Sequence, residues 1–315
     1  MEIIRGEHNL RPRHRGCVAT IGNFDGVHRG HQAVLRALIT KAKALNAVST
    51  VVIFEPQPSE YFATGNPPAR LTRLREKAQL LDDLGIERLL VMPFDAALAS
   101  RPADDFVQRL LIDGLGVRGL IVGDDFKFGS HRSGDFAMLQ RSAERHGFFI
   151  NRADSFLTDG ERVSSTSIRA RLREGLIRDA EPLLGRRYFM SGRVVHGQKR
   201  GREMGFPTAN LDLHRRASPL QGIFAAQVLG VGAAPAPAIA YVGNRPIIEN
   251  SRWVIEVHLF DFAEDIYSRH IKVEFIEKIR DDLPFTDFET LSRQIADDCQ
   301  VARRILLSKG SAVEE

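Results

Sequence analysis

The spacing of apolar residues changes part-way along this chain of 315 residues, and one layered sheet cannot satisfy both halves. Residues 17–22 (CVATIG) read as a buried strand, and 31–45 follow with Val34, Leu35, Leu38 and Leu45 at helical spacing. Strands over 50–54, 88–92, 119–122 and 148–151 then alternate with helices over 71–84, 103–114 and 135–146. Such a βαβα rhythm predicts a parallel sheet with helices on both faces. Ligands bind such sheets outside the carboxyl ends of the strands, so the loops after Ile21, Phe54 and Val122 are where chemistry is expected. From about Tyr188 the rhythm becomes short strands, over 189–196, 223–229, 238–242, 253–262 and 271–279, punctuated by Gly, Pro and Asn. One helix ends the pattern, with Phe288, Leu291, Ile295, Ala302 and Ile305 on a stripe. The second half therefore predicts a small antiparallel β-barrel closed by a C-terminal helix. Short helical stretches over 167–175 and 179–184 place the boundary near Gly185, giving domains 1–185 and 186–315, in keeping with the length.

Several classes are excluded. With 43% hydrophobic and 27% charged residues the chain has the composition of a globular protein, not a disordered one. No run of about 18 apolar residues suits a membrane span, and the start is too polar for a secretory signal. Cys17 and Cys299 cannot build a disulfide framework. A cytoplasmic protein is expected. The pI near 9.2 raises a nucleic-acid partner, but the formal net charge is only +4 and no block of like charges exists. No nucleic-acid and no membrane partner is therefore expected. Oligomeric state is not legible.

The loop after the first strand reads GNFDGVHRGH, residues 22–31. Gly22 and Gly26 permit a tight turn, and the following helix aims its first amides at whatever occupies it, as in phosphate sites. His28 and His31 fall on one side of the first helical turn, where they suit phosphate oxygens. Taken without its flanks, HxxH is equally a metal pair or two surface histidines. Ser164, Ser165 and Thr166 precede a helix and suit phosphate or an ordinary N-cap; Arg169, a turn later, can fork onto phosphate oxygens.

GNFDGVHRGHQ resembles the signature of the HxGH nucleotidyltransferases. Phe54-Glu55-Pro56, Arg70-Leu71-Thr72, VGDDFKFG (122–129) and VSSTSIR (163–169) extend the likeness in chain order. Together they resemble the bacterial bifunctional riboflavin kinase/FMN adenylyltransferases, or FAD synthetases, over essentially everything after residue 15. The resemblance implies an α/β fold: an N-terminal Rossmann-like HxGH nucleotidyltransferase domain with a parallel sheet, then a riboflavin kinase-type barrel. It implies that Gly22, Asn23, Phe24, Asp25 and Gly26 bind nucleotide beside the catalytic His28 and His31. Ser164, Ser165, Thr166 and Arg169 become the second ATP element, opposite the histidines. Phe54, Pro56, Asp125, Phe126 and Arg245 become flavin contacts.

In the second domain a Gly-punctuated loop carries Gly197, Gly201 and Gly205, with Lys199, Arg200 and Arg202 adding charge, but no GxxxxGK[ST] P-loop. GFPTAN (205–210) resembles the riboflavin kinase motif, which makes Pro207 and Thr208 nucleotide contacts and Thr208 and Asn210 the holders of Mg²⁺. Read alone, PTAN is a turn. Glu256 shares a strand face with Val254, His258 and Phe260, either as a functional carboxylate or on the exposed face of an edge strand. The resemblance makes it the catalytic base.

Three positions depart from the family pattern. Gln57 stands where His is frequent, Ile247 where Thr is usual, and Phe224 where Tyr is common. The implied function is phosphorylation of riboflavin to FMN, releasing ADP, and adenylylation of FMN to FAD, releasing pyrophosphate. Mg²⁺ is the implied cofactor and ATP the co-substrate. The alternatives are a single-activity relative with one decayed site and a non-catalytic flavin-binding regulator.

Overall fold

Neighbouring residues on the strands of the first half take opposite sides, which is why both faces carry a core. Val18, Val51, Ile53, Leu89, Val91 and Ile121 pack on one side against Leu35, Leu38 and Leu81. Ala19, Ile21, Val52, Leu90, Leu120 and Val122 pack on the other against Phe106, Leu110 and Leu139. A computed structural model describes residues 1–153, 156–158, 160–197, 201, 205–213, 215, 217–245 and 252–310, with 245, 252, 309 and 310 described by backbone alone. The chain separates into two compact units, 1–68 with 72–164 and 69–71 with 165–315.

In the first unit, β1 (Glu2–Arg5), β2 (Val18–Ile21), β3 (Ser49–Glu55), β4 (Arg88–Pro93), β5 (Gly119–Gly123) and β6 (Phe149–Ala153) form one sheet in the order β1-β4-β3-β2-β5-β6. Every neighbouring pair is parallel. The order reverses direction at β2, which has β3 on one side and β5 on the other. A crevice at such a switch is where open α/β sheets bind ligands. Strand β1 escapes the periodicity analysis because it has four residues, with Ile3 49% exposed and only Ile4 buried. The helix expected over 103–114 is α-helical over Ala103–Phe106 and π-helical over Val107–Gly114. The wider turn keeps Val107, Leu110, Leu111 and Leu115 all in the core. A small hairpin of β7 (Leu157–Thr158) and β8 (Glu161–Arg162) ends the unit.

The second unit begins with helices Ser165–Glu174 and Ile177–Leu184. Then β9 (Phe189–Val195), β10 (Ala209–Asp212), β11 (Gly222–Leu229), β12 (Ala236–Arg245), β13 (Arg252–Leu259) and β14 (His270–Arg280) close into an antiparallel barrel. PTAN is not wholly a turn: Ala209 and Asn210 open β10, whose four residues alternate in burial and join β9 to β13. Helix Phe288–Gly310 lays Ile295, Cys299, Ala302 and Ile305 on the barrel's Ala225, Ile239 and Ile276. Phe288 does not share that stripe; it is 54% exposed at the helix start.

Candidate functional site

The loop joining β2 to helix Arg29–Ala44 is shaped from within. Phe24, Gly26 and Val27 take φ of 46°, 84° and 42°, and for a β-branched residue such as Val27 that conformation is an outlier. Strain of this kind persists where surroundings over-determine it, and it gathers at ligand sites. Here Asp25, buried at 2% exposure, accepts through Oδ1 from Thr72 N at 3.0 Å and Thr72 Oγ1 at 3.3 Å. Gly26 N donates to Thr72 Oγ1 at 2.9 Å, and buried Lys77 Nζ donates to Asn23 O at 2.5 Å. Asp25 thus sets the loop's shape.

His28 is the N-cap of the helix, its Nδ1 accepting from His31 N at 3.3 Å. In the neutral ring an accepting Nδ1 puts the proton on Nε2. The two imidazoles stack at 3.5 Å between centroids and 19° between planes, with Phe24 5.1 Å from His31. Gly30 allows this, since a Cβ there would press on the His28 ring at 3.2 Å.

Register places the loop after β5 beside this one, because Thr20 of β2 pairs with Ile121 of β5. Arg162 Nη2 donates to Asp124 Oδ1 at 3.1 Å and lies 3.6 Å from exposed Asp125. Phe126 stacks on Phe128 at 5.5 Å. At the end of β3, Phe54 meets Phe94 edge-on at 5.7 Å, and Tyr61 and Phe62 join them in a partly exposed aromatic group. Pro56 is exposed nearby in sequence, whereas Gln57 is buried. Ser164 ends the first unit. Ser165 and Thr166 open helix Ser165–Glu174 in the second, where Arg169 Nε donates to Ala69 O at 2.7 Å.

In the barrel, Asn210 of β10 stands directly opposite Glu256 of β13, and Tyr241 of β12 flanks Glu256 on its other side. Opposed residues share a face, with Cβ atoms about 4.5–5.5 Å apart. Ile255, Val257 and Leu259 fill the interior while Val254, Glu256 and His258 are half-buried on the other face. Because the barrel is closed, β13 is not an edge strand. Gly197 backs onto Asn210: any Cβ there would collide with its amide. His258 Nδ1 donates to Pro207 O at 2.8 Å, and Phe206 N to Gly201 O at 2.7 Å, fixing the approach to Thr208. A cavity of about 390 Å³ opens beside Pro207 and Thr208, with Val194, Glu264, Ile266 and Tyr267 among its walls.

A family profile described as FAD synthetase matches residues 10–167, and one described as riboflavin kinase matches 184–306. A curated protein of Escherichia coli (strain K12), named bifunctional riboflavin kinase/FMN adenylyltransferase, is 47% identical over 96% of this chain and 97% of its own. The chain belongs to the bifunctional riboflavin kinase/FMN adenylyltransferase family. A Haemophilus influenzae relative of the same name is 46% identical over 96% of this chain and 98% of its own. A solved structure described as a macrolide-efflux protein from Streptococcus pneumoniae, 28% identical, covers 96% of this chain and 99% of its own at a TM-score of 0.81. Among the described residues of this chain, no helix is long and apolar enough to cross a membrane.

As a member of the riboflavin kinase/FMN adenylyltransferase family, the chain is a transferase of both kinds, with ATP as co-substrate. Phe224, a departure from the family pattern, is wholly buried and meets Phe275 edge-on at 5.4 Å, so it is a barrel-core residue. Lys199, Arg200, Arg202, Ile247 and the side chain of Arg245 lie outside the described residues. Sequence reasoning did not single out Lys77, Tyr61, Phe62, Phe94, Tyr241 or the cavity wall at 262–267. Thr72 was legible only as part of the Arg-Leu-Thr likeness.

Proposed function

We propose that the barrel phosphorylates riboflavin through Glu256 and that the sheet unit adenylylates the product through His28 and His31. The observation that carries the kinase reading is the register that sets Glu256 opposite Asn210. A half-buried carboxylate there takes the proton of the riboflavin 5′-hydroxyl as that oxygen attacks the γ-phosphorus of ATP, giving FMN and ADP. The cavity beside Thr208 holds the nucleotide, with Gly197, Gly201, Gly205 and Pro207 shaping the approach to the phosphates.

The donor set fits Mg²⁺. Among the described residues no group of three or more His, Cys, Asp or Glu could hold a metal, whereas Thr208 and Asn210 offer oxygen to an ion held mostly by phosphates and water. Bound there, Mg²⁺ supplies charge neutralisation on the phosphates.

In the sheet unit the FMN phosphate is already an anionic nucleophile. Attack on the α-phosphorus of ATP therefore needs position and charge more than a base, and gives FAD and pyrophosphate. His28 and His31, with the amides of the first helical turn, hold the ATP phosphates at the end of a loop kept in shape by Asp25. Gly22, Asn23, Phe24 and Gly26 belong to the same nucleotide loop. Ser164, Ser165, Thr166 and Arg169 stay assigned to phosphate by resemblance alone. The flavin lies on Phe54, Pro56, Asp125 and Phe126, with Tyr61, Phe62 and Phe94 extending the aromatic surface. Arg245 stays assigned to flavin by resemblance alone.

The division of labour at 1–185 and 186–315 belongs to the same proposal, as does a cytoplasmic site of action, where ATP is at hand. The test is an assay of the purified chain with riboflavin, ATP and Mg²⁺ that resolves FMN from FAD. FAD is expected; FMN alone would remove the adenylylation assignment, no product from riboflavin would remove the kinase assignment, and no FAD from supplied FMN would remove the adenylylation assignment.

A further inference from the structure

The chain leaves β13 soon after Glu256 and turns at Phe260 and Asp261 into residues 262–267, a wall of the 390 Å³ cavity. Asp261 makes the corner with a left-handed backbone, φ 54°, which Asp tolerates better than most residues. One side chain of the C-terminal helix grips both corner residues. Arg303 Nη1 donates to Asp261 Oδ2 at 2.7 Å and Nη2 to Oδ1 at 2.9 Å, while its guanidinium lies 4.3 Å over the ring of buried Phe260. A planar fork backed by a ring fixes direction as well as distance, which an ammonium would not. The Asp261 carboxyl is accordingly held below its ordinary range by its hydrogen bonds from Arg303.

The helix does not need this contact to stay in place. Its apolar stripe packs on the barrel, and buried Asp298 takes Arg280 Nε at 3.0 Å and Nη2 at 2.6 Å from β14. The Arg303–Asp261 pair is itself solvent-exposed, at 45% and 75%, and exposed pairs contribute little to stability. What the pair does fix is the direction in which the cavity wall departs.

We propose that Arg303 is a positioning residue of the kinase: through Phe260 and Asp261 it sets the wall at 262–267 and so the fit of ATP in the cavity. The inference rests on the assignment of that cavity to ATP made above. Full-length Arg303→Ala and Asp261→Asn test it, with FMN formation measured while ATP and riboflavin are varied separately. Asn keeps the left-handed corner and one acceptor oxygen but loses the charged fork. Arg303→Ala is expected to raise the KM for ATP about tenfold while kcat and the KM for riboflavin change less than about twofold. Asp261→Asn should shift the same constant by less, and both variants should keep the wild-type melting temperature. An unchanged KM for ATP in Arg303→Ala would overturn the inference. So would a lowered melting temperature with kcat and both KM values disturbed together, the mark of a merely structural contact. Wild-type chain that makes no FMN from riboflavin would remove the kinase assignment itself, a result visible in the same assay and distinct from either variant outcome.

Discussion

Asn210 and Glu256 face each other across the ladder of β10 and β13, 46 residues apart in sequence and neighbours in the barrel. A neutral oxygen donor suited to a metal-bound phosphate thus shares a face with a carboxylate suited to a hydroxyl proton. In the proposed phosphoryl transfer, the residue assigned to holding the donor and the one assigned to activating the acceptor sit on adjacent strands.

Replacing Glu256 by Gln keeps shape and removes the proposed base. FMN formation from riboflavin is expected to fall about 10²–10⁴-fold, while FAD formation from supplied FMN stays at the wild-type rate. Product analysis by chromatography with each flavin fed separately decides it; kinase turnover within a few-fold of wild type would refute the role.

Gly197→Ala probes the partner. The added methyl meets the Asn210 amide and must push it aside. The expected result is a raised KM for Mg-ATP in the kinase reaction, with adenylylation untouched. Equal effects on both reactions would mean that Asn210 was not the group displaced.

His28→Ala removes both the helix cap and the Nε2 donor. FAD formation is expected to drop about 10²–10³-fold, the range for loss of one transition-state hydrogen bond. FMN formation should persist. Unimpaired FAD synthesis would detach the histidine stack from the chemistry.

Periodicity carried β2 to β5 because each is a nearly continuous buried run, even the four residues of β2, and it missed β1 and β10 because only one and two of their four residues are buried. The face of Glu256 was legible from alternation along β13. Its neighbour Asn210 was not, since register is settled by pairings distant in sequence. His28 and His31 could be placed on one helical turn; their stacking could not, because it depends on Gly30 and on the strained backbone at Phe24 and Val27. Asp25 read as a nucleotide contact, while the structure turns its carboxylate inward onto Thr72, a bond no local spacing announces.

Both cysteines should resist native-state alkylation. Burial pushes the Cys17 thiol up and raises that of Cys299 to about 11, so neither supplies much thiolate at pH 8. Thiol titration with and without denaturant should count none quickly in the native chain and two after unfolding. A fast native reaction at Cys299 would show that helix Phe288–Gly310 opens away from the barrel.

The Glu7–Arg101 pair gives the first unit an acid-side limit. Glu7 accepts from Arg101 Nη1 at 2.8 Å and Nη2 at 2.5 Å, and these bonds hold its carboxyl below the ordinary value. A lowered folded-state pKa means the stabilisation is complete above the unfolded value, about 4.3, and is lost as pH falls through the folded one. The pair is partly exposed, so screening limits it to about 1 kcal/mol or less. Glu7→Gln should therefore melt below wild type at pH 7 by at most roughly 2–4 °C, with the gap closing as pH drops below 4 and the wild-type carboxyl takes up its proton. Melting curves of the two proteins from pH 7 to pH 3 measure this directly. A gap that stayed constant with pH would show that the charge on Glu7 contributes nothing to the fold.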